Sequence, residues 1–267
     1  MRIVVIGGTG LIGSKVVAKL KQQGHEAIAA APNTGVDTIT GKGLAEALDR
    51  ADVVVDVSNS PSFEDRAAME FFQTSARNLR DAEQNAAVRH HVALSVVGTD
   101  RLQGSGYFRA KLAQEQVIEA SAIPYTLIHA TQFFEFIRSI AEVSTVDGMV
   151  RLPPVKFQPV AAEDVASEIV RAAVANPANA LIEIAGPETL RFDEAVAKVL
   201  KYDQDPRPVI ADRSARYYGV EIADATLVPG PNARLGSTTL DWWLTHVPAP
   251  PKRSNEARVP EPAHSAN

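Results

Sequence analysis

The stretch Ile3-Val4-Val5-Ile6-Gly7-Gly8-Thr9-Gly10-Leu11-Ile12-Gly13 decides the fold of this chain. Its four leading apolar residues are typical of a buried strand, and residues 11–23 carry apolar side chains at helical spacing. Glycines between the two predict a sharp turn, because glycine adopts backbone angles that other residues avoid. A helix that begins there offers unpaired N–H groups and the positive end of its dipole to a phosphate. The stretch therefore predicts a nucleotide site.

Apolar runs alternate with helix-length segments through the first two thirds of the chain. The pattern predicts strands at residues 3–6, 26–31, 53–57, 91–97 and 125–130, with helices at 11–23, 65–87 and 107–120. The valine-rich run at 53–57 is typical of a strand covered on both faces. Strand–helix repetition of this kind predicts an α/β fold, a doubly wound parallel sheet of the Rossmann type. We expect this dinucleotide-binding core to span residues 1–145.

The pattern becomes less regular after residue 145. It predicts helices at residues 163–175, 193–201 and 240–246, and a strand at 180–185. We expect residues 146–247 to form a small C-terminal α/β substrate lobe, with elements that return to the core. Such a lobe would lie across the carboxyl edge of the sheet, where open α/β sheets bind ligands. Residues 248–267 contain five of the 17 prolines and are predicted to be a disordered tail.

The amino-acid composition favours a globular protein and argues against one that binds nucleic acid or membrane, or that depends on cysteine. Hydrophobic residues make up 45% of the 267, which suffices for a packed core, and the net charge of -5 gives no footprint for nucleic acid or an anionic membrane. The chain has no cysteine, which excludes disulfides and thiolate nucleophiles. His90 and His91 are adjacent on an extended segment and would face opposite ways, so no metal site is expected. We expect a soluble, cytoplasmic monomer or homodimer.

The spacing of the glycines at 7, 10 and 13 resembles that of the short-chain dehydrogenase/reductase superfamily, specifically its atypical, NmrA-like branch. Further motifs carry the resemblance, which covers nearly all of the chain except the tail. They are Asp56-Val57-Ser58-Asn59, Leu94-Ser95-Val96-Val97-Gly98, Tyr107-Phe108-Arg109-Ala110-Lys111, Gln158-Pro159-Val160, Glu163-Asp164-Val165-Ala166 and Ala185-Gly186-Pro187-Glu188.

Three residues match the catalytic set of that superfamily. Tyr107 and Lys111 are four residues apart on a predicted helix and share one face, while Ser95 ends the preceding strand. The resemblance implies that Tyr107 is the general acid or base and that Ser95 polarises the same substrate oxygen. It implies that Lys111 binds the nicotinamide ribose and lowers the pKa of Tyr107. A nearby cation can lower a phenol pKa of about 10 by roughly 1–3 units, into a range useful for proton transfer.

The cofactor implied is NADP, with NAD left open. A carboxylate at the end of the second strand would bind the ribose of NAD and repel the phosphate of NADP. That strand instead leads into Ala31-Pro32-Asn33-Thr34, without an acid, although the arginine that would favour NADP is missing too. The cofactor contacts expected are Gly7, Thr9, Gly10, Leu11, Ile12, Gly13, Asn33, Thr34, Ser58, Asn59, Lys111 and Thr131.

A substrate pocket is expected after the last core strand. Gln132, Phe133 and Phe136 would wall it, beside the nicotinamide. His129 stands where relatives often carry arginine, so a catalytic role and a local packing role both stay open for it.

The resemblance implies an NAD(P)-dependent oxidoreductase acting on a small carbonyl, alcohol or quinone-like substrate. An alternative is a non-catalytic NADP-binding regulator that senses redox state and controls a protein partner. A sugar-nucleotide epimerase is less favoured, because the C-terminal lobe is short and shows no basic cluster for a second diphosphate.

Overall fold

The computed structural model of the protein describes residues 1–247, which form twelve strands and eight α-helices. The strands are β1 (Arg2–Ile6), β2 (Glu26–Ala30), β3 (Val53–Asp56), β4 (His90–Val96), β5 (Tyr125–Ala130), β6 (Thr145–Val146), β7 (Met149–Leu152), β8 (Lys156–Phe157), β9 (Ala180–Ala185), β10 (Leu190–Arg191), β11 (Val209–Ala211) and β12 (Arg234–Leu235). The helices are α1 (Leu11–Gln22), α2 (Leu44–Leu48), α3 (Asp65–Asn85), α4 (Gly106–Glu119), α5 (Ile137–Val143), α6 (Ala162–Val174), α7 (Phe192–Tyr202) and α8 (Leu240–His246).

The central sheet has seven strands in the order β12-β9-β5-β4-β3-β1-β2. All of its neighbouring strands run parallel. The chain enters at β1, adds β2 on one side and then crosses to add β3 on the other. The strand order therefore reverses at β1 and β3, and the crevice beyond their carboxyl ends is where open α/β sheets bind ligands.

Helices cover both faces of the sheet. Helices α1 and α6 bury Val16, Leu20 and Ile169 against one face. On the other face, Leu79 of α3 packs on β1 and β3, and Ile118 of α4 packs on β4 and β5. The buried valines of β3 have neighbours on both sides, as their uninterrupted apolar pattern predicted. The doubly wound α/β fold predicted from the sequence is confirmed.

The C-terminal part builds two small sheets, β8 with β10 and β6 with β7 and β11, around an aromatic cluster of Phe134, Phe157, Phe192 and Trp243. Strands β9 and β12 join the central sheet. Residues after 145 therefore contribute both to the central sheet and to the two small sheets. The domain boundaries at 145 and 247 stay predictions, and the expected tail at 248–267 lies outside the described residues. Within residues 1–247, no helix is both long and apolar enough to cross a membrane.

Candidate functional site

The glycine turn joins β1 to α1 at the strand-order reversal. Gly7 has a φ of 75°, a left-handed conformation that favours glycine, and a Cβ there would lie 3.0 Å from the backbone of Ser58. A Cβ on Gly13 would lie 2.2 Å from the carbonyl oxygen of Gly7, so only glycine lets the helix approach the turn this closely. Gly10 precedes the helix and provides no side-chain cap, which leaves the first N–H groups of α1, from Leu11 and Ile12, available to an anion.

Asn33 faces the glycine turn from the segment after β2. Thr9 donates a hydrogen bond from Oγ1 to Asn33 Oδ1 at 3.1 Å, and both side chains are exposed. The Thr34 hydroxyl is directed into its own turn, where it accepts from the N–H of Ala31 at 2.9 Å and lies within hydrogen-bond distance of two carbonyl oxygens. Of the two cofactor contacts predicted in this segment, Asn33 is presented to a ligand, whereas the Thr34 hydroxyl is already engaged within its own turn.

The carboxyl end of β3 holds Asp56, which is buried. Its Oδ1 accepts hydrogen bonds from both the N–H and the hydroxyl of Ser58, at 3.0 and 2.6 Å. These bonds fix the Ser58 backbone against Gly7. The segment after β3 and the glycine turn therefore form one rigid wall of the crevice.

Tyr107 lies in the first turn of α4, half-buried at the same edge of the sheet. Its hydroxyl donates to Asn59 Oδ1 at 3.1 Å, and its ring meets the edge of Phe72 with centroids 5.8 Å apart. Burial, with a smaller contribution from Tyr218, raises the pKa of Tyr107 well above its ordinary value. The resemblance implied that Lys111 lowers this pKa, but the shift is upward because burial dominates and the Lys111 ammonium is directed to Leu94 and Gln114.

Lys111 is one helical turn further on and is buried. Its Nζ donates to the carbonyl oxygen of Leu94 at 2.9 Å and to Oε1 of Gln114, and it lies 4.5 Å from the ring centroid of Phe72. Burial lowers the pKa of Lys111 to about 8, although the nearby carboxylates of Asp56 and Glu115 act in the opposite direction. Tyr107 and Lys111 share Phe72 as a neighbour, as the four-residue spacing predicted.

Ser95 does not join them. Its hydroxyl donates to Glu115 Oε1 inside the interface between β4 and α4, and its side chain is buried. The expectation that its hydroxyl converges with the Tyr107 phenol does not match this geometry. Alternation along β4 explains the difference, because Ser95 faces the same way as Ala93, towards α4.

His129 belongs to the same buried cluster. Its Nε2 lies 3.0 Å from Glu115 Oε1 and its side chain is buried. Burial would raise the pKa of Glu115, but hydrogen bonds from His129 and Ser95 and the charges of His129 and Lys111 hold it below its ordinary range. Of the two roles left open for His129, the structure favours the local hydrogen-bonding one.

Unpaired polar atoms mark the carboxyl end of β5. Among the described residues, the Thr131 hydroxyl and both polar atoms of the Gln132 side chain are buried without a hydrogen-bond partner. Buried polar groups are rarely left unpaired, so these three atoms, which lie at the ligand-binding edge of the sheet, fit contacts with a polar ligand. Phe133 and Phe136 follow, with ring centroids 5.4 Å apart, and Phe136 is exposed.

These features fit a dinucleotide. The glycine turn gives a pyrophosphate close access to backbone N–H groups, and the orphaned amide of Gln132 suits the carboxamide of a nicotinamide ring. No cluster of three or more metal-ligating side chains occurs within residues 1–247. His91 pairs instead with Glu83 at 2.6 Å, and His90 with Thr126 at 2.9 Å.

The polar chain under the site, formed by Lys111, Gln114 and Glu115, was not predicted from the sequence. Gln114 and Glu115 lie three and four residues after Lys111, so helical spacing places all three on one face of α4. That spacing was the available signal. The contact of Asn59 with Tyr107 was not predicted either, and no local pattern encodes it because 48 residues separate the pair.

The fold and the crevice define a dinucleotide-binding protein of the Rossmann class. Residues 7–177 match the family described as NAD(P)H-binding, and the chain belongs to that family. The match confirms the predicted NAD(P) cofactor and supports the resemblance to the atypical short-chain dehydrogenases/reductases.

Solved structures share the fold at low identity. A short-chain dehydrogenase/reductase superfamily protein from Agrobacterium tumefaciens with bound NAD has a TM-score of 0.69 at 16% identity, covering 92% of this chain and 95% of that one. UDP-glucose 4-epimerase from Thermus thermophilus, in complex with NAD, has a TM-score of 0.66 at 18% identity, covering 86% and 91%. dTDP-4-dehydrorhamnose reductase from Bacillus anthracis, in complex with NADP, has a TM-score of 0.65 at 14% identity, covering 84% and 89%.

One curated protein is similar in sequence. The photosystem II assembly factor Ycf39 of Synechocystis is 24% identical over 149 residues, which cover 51% of this chain. The matched region makes up 46% of that protein, so this chain spans about half the length of its relative.

Proposed function

We propose that this chain is an NAD(P)-dependent oxidoreductase that reduces a small carbonyl compound, with Tyr107 as the proton donor. The observation that supports this proposal most strongly is the position of the Tyr107 phenol. It lies at the carboxyl edge of the sheet and donates a hydrogen bond to Asn59. The same edge holds the glycine turn, so a substrate at Tyr107 would adjoin the predicted cofactor crevice. NADP is the preferred cofactor in this proposal, because no carboxylate ends β2.

Burial raises the pKa of Tyr107, so the phenol is neutral in the free protein and a weaker acid than an ordinary tyrosine. We assign it the role of donor because only the protonated form can give a proton. A neutral phenol can donate a proton to an oxygen that gains negative charge, whereas it is a poor base. When bound, the reduced cofactor supplies a hydride to the carbonyl carbon. Tyr107 then supplies the proton to the oxygen, so that the carbonyl becomes an alcohol and the phenol is reprotonated from solvent.

Lys111 and Asn59 have supporting roles in this proposal. Lys111 supports the site from below: its buried Nζ donates to the carbonyl oxygen of Leu94 and to Gln114, and the resemblance places the nicotinamide ribose nearby. In the free protein Asn59 accepts the hydrogen bond from the Tyr107 hydroxyl. In the complex that we propose, the substrate oxygen replaces Asn59 as the acceptor. Ser95 does not touch the substrate in this proposal, because its hydroxyl is bonded to the Glu115 carboxylate. It helps to hold that carboxylate in place.

The proposal is tested by titrating the purified protein with NADPH and NADH and then following oxidation of the bound cofactor with a panel of aldehydes, ketones and quinones. We expect reduced cofactor to bind and at least one carbonyl class to be consumed. Tight binding of the reduced cofactor without its oxidation by any compound of the panel would contradict the assignment of an enzyme.

A second candidate is a cofactor-binding regulator without chemistry. The buried Ser95 hydroxyl favours it, because one member of the expected catalytic set is turned away from the crevice. The name of the Synechocystis relative, an assembly factor, agrees with such a role. Partner binding that differs between oxidised and reduced cofactor, in a protein that reduces no carbonyl compound, would support this candidate.

A further inference from the structure

Tyr218 occupies an unfavourable backbone position at the tip of a hairpin. Tyr217 and Val220 exchange two backbone hydrogen bonds of 2.8 and 3.0 Å across a two-residue turn, and the turn residues Tyr218 and Gly219 have φ values of 46° and 81°. Two positive φ angles define a type I′ turn, for which Asn-Gly is the preferred pair. A bulky tyrosine is disfavoured there, so the fold itself does not select this side chain.

The Tyr218 ring stacks on Phe63, which is also exposed. Phe63 belongs to the segment between β3 and α3, and 55% of its surface is accessible to solvent. The two ring centroids are 6.1 Å apart with an angle of 26° between the planes. An exposed phenylalanine gains little from burial, so core packing does not explain Phe63, whereas the Tyr218 ring also meets the edge of the buried Tyr217 ring with centroids 4.8 Å apart.

The Phe63 ring also contacts Tyr107. The Phe63 centroid lies 5.1 Å from that of Tyr107, and Phe108 approaches the edge of Tyr107 at 5.5 Å. Two aromatic side chains from distant parts of the chain thus come together beside the proposed proton donor. The contact joins the segment after β3 to the C-terminal part of the protein.

We propose that Phe63 and Tyr218 form a binding site for the flat aromatic ring of an aryl carbonyl substrate. The ring would stack on these two side chains, in the offset geometry that aromatic pairs prefer, while its carbonyl reaches the Tyr107 hydroxyl. The proposal rests on the proposed function for the role of Tyr107. The binding site itself requires only the geometry of the three rings.

The two arginines that flank Tyr107 in sequence, Arg101 and Arg109, are not free to bind a diphosphate. Arg101 donates to the carbonyl oxygen of Ala225, and Arg109 pairs with Asp65 at 2.7 Å while donating to the carbonyl oxygen of Gln103. Both guanidinium groups, on either side of Tyr107 in sequence, are held by the protein. An uncharged arene matches this surface better than a nucleotide sugar does.

Two ketones with the same carbon skeleton, one aromatic and flat and the other saturated, provide the test. Dissociation constants are measured for 2-acetylnaphthalene and for its saturated counterpart, 2-acetyldecalin, with the protein saturated in NADP⁺ so that no turnover occurs. The measurements are repeated on Tyr218→Asn, Phe63→Leu and, as a control, Tyr202→Asn, which removes an exposed ring from α7. Tyr218→Asn creates the preferred turn pair, so its melting temperature should not fall.

We expect the wild type to bind the naphthyl ketone about tenfold more tightly than the decalin. Tyr218→Asn and Phe63→Leu should each weaken naphthyl binding about five- to tenfold, with the affinity for the decalin and for NADP⁺ unchanged. Equal affinities for the two ketones, no binding of either, or wild-type affinity in both variants would overturn the proposal. If the naphthyl ketone binds as expected yet NADPH does not reduce it, the proposed function fails while the aromatic site stands.

Discussion

Gln114 donates a hydrogen bond of 2.8 Å from Nε2 to Oδ2 of Asp56, and the two side chains are buried. Because Gln114 Oε1 accepts from Lys111 while Asp56 accepts from Ser58, the amide links the lysine to the wall of the cofactor crevice. The orientation of this one amide is fixed by a donor on one side and an acceptor on the other. The position of Lys111 therefore depends on Gln114, which is not one of the three residues of the expected catalytic set.

Gln114→Leu should therefore destabilise the protein and weaken NADP⁺ binding. The substitution leaves Asp56 and Lys111 each short of a buried partner, which costs about 1–3 kcal/mol of the free energy of unfolding. Urea unfolding and equilibrium titration measure the two effects. The control is Gln116→Leu, an exposed glutamine on the same helix. If the two variants have the same free energy of unfolding and the same affinity for NADP⁺, Gln114 does not hold Lys111 and Asp56 in place.

The buried ammonium of Lys111 predicts how stability responds to pH. With a folded pKa of about 8 and an ordinary value of 10.5, the folded chain has lost a proton above pH 8 that the unfolded chain keeps. The free energy of unfolding of the wild type should then rise, relative to Lys111→Met, by roughly 1 kcal/mol per pH unit between pH 8 and 10. Below pH 8 both states are protonated and the difference should be flat. Lys21→Met, on the exposed side of α1, is the control; a flat difference across the whole range would contradict a buried lysine.

Asn33→Asp should shift cofactor preference. The carboxylate keeps an acceptor for the Thr9 hydroxyl but repels the 2′-phosphate of NADPH. We expect the dissociation constant for NADPH to rise about tenfold or more, with that for NADH unchanged or lower. Asn85→Asp adds the same charge at the exposed end of α3 and is the control. Equal effects on the two cofactors would show that Asn33 does not lie near the ribose.

Ser95→Ala separates a buried structural serine from a catalytic one. The hydroxyl is bonded to Glu115, and His129 remains as a partner for that carboxylate. We expect a loss of about 1 kcal/mol in the free energy of unfolding and a change in kcat of less than about threefold. A fall in kcat of about a hundredfold in a folded variant would mean that Ser95 reaches the substrate oxygen after all.

The sequence predicted the central fold closely, because strong local signals specify it. Strand β5 and helix α8 begin and end where the pattern placed them, and most other bounds shift by one or two residues. Elements too short to show a periodicity were missed. They are the strands β6, β7, β8, β10, β11 and β12 and the five-residue helix α2.

The site was less predictable than the fold. Helical spacing placed Tyr107 and Lys111 on one face of α4, and the shared contact with Phe72 agrees with it. The face to which Ser95 points depends on the phase of the alternation along β4, and the sequence does not reveal that phase because the strand is apolar on both faces. The meeting of Phe63 with Tyr218 joins residues far apart in sequence, so it follows only from the assembled structure.

The most direct measurement of the central claim is the kinetics of Tyr107→Phe. This change removes only the phenol oxygen and leaves the ring contacts with Phe63 and Phe72 in place. If Tyr107 donates the proton, kcat should fall about 10²–10⁴-fold while the dissociation constant for NADP⁺ stays within about twofold of the wild type. Tyr202→Phe, an exposed tyrosine on α7, should leave both values unchanged. Wild-type turnover in Tyr107→Phe would contradict the assignment.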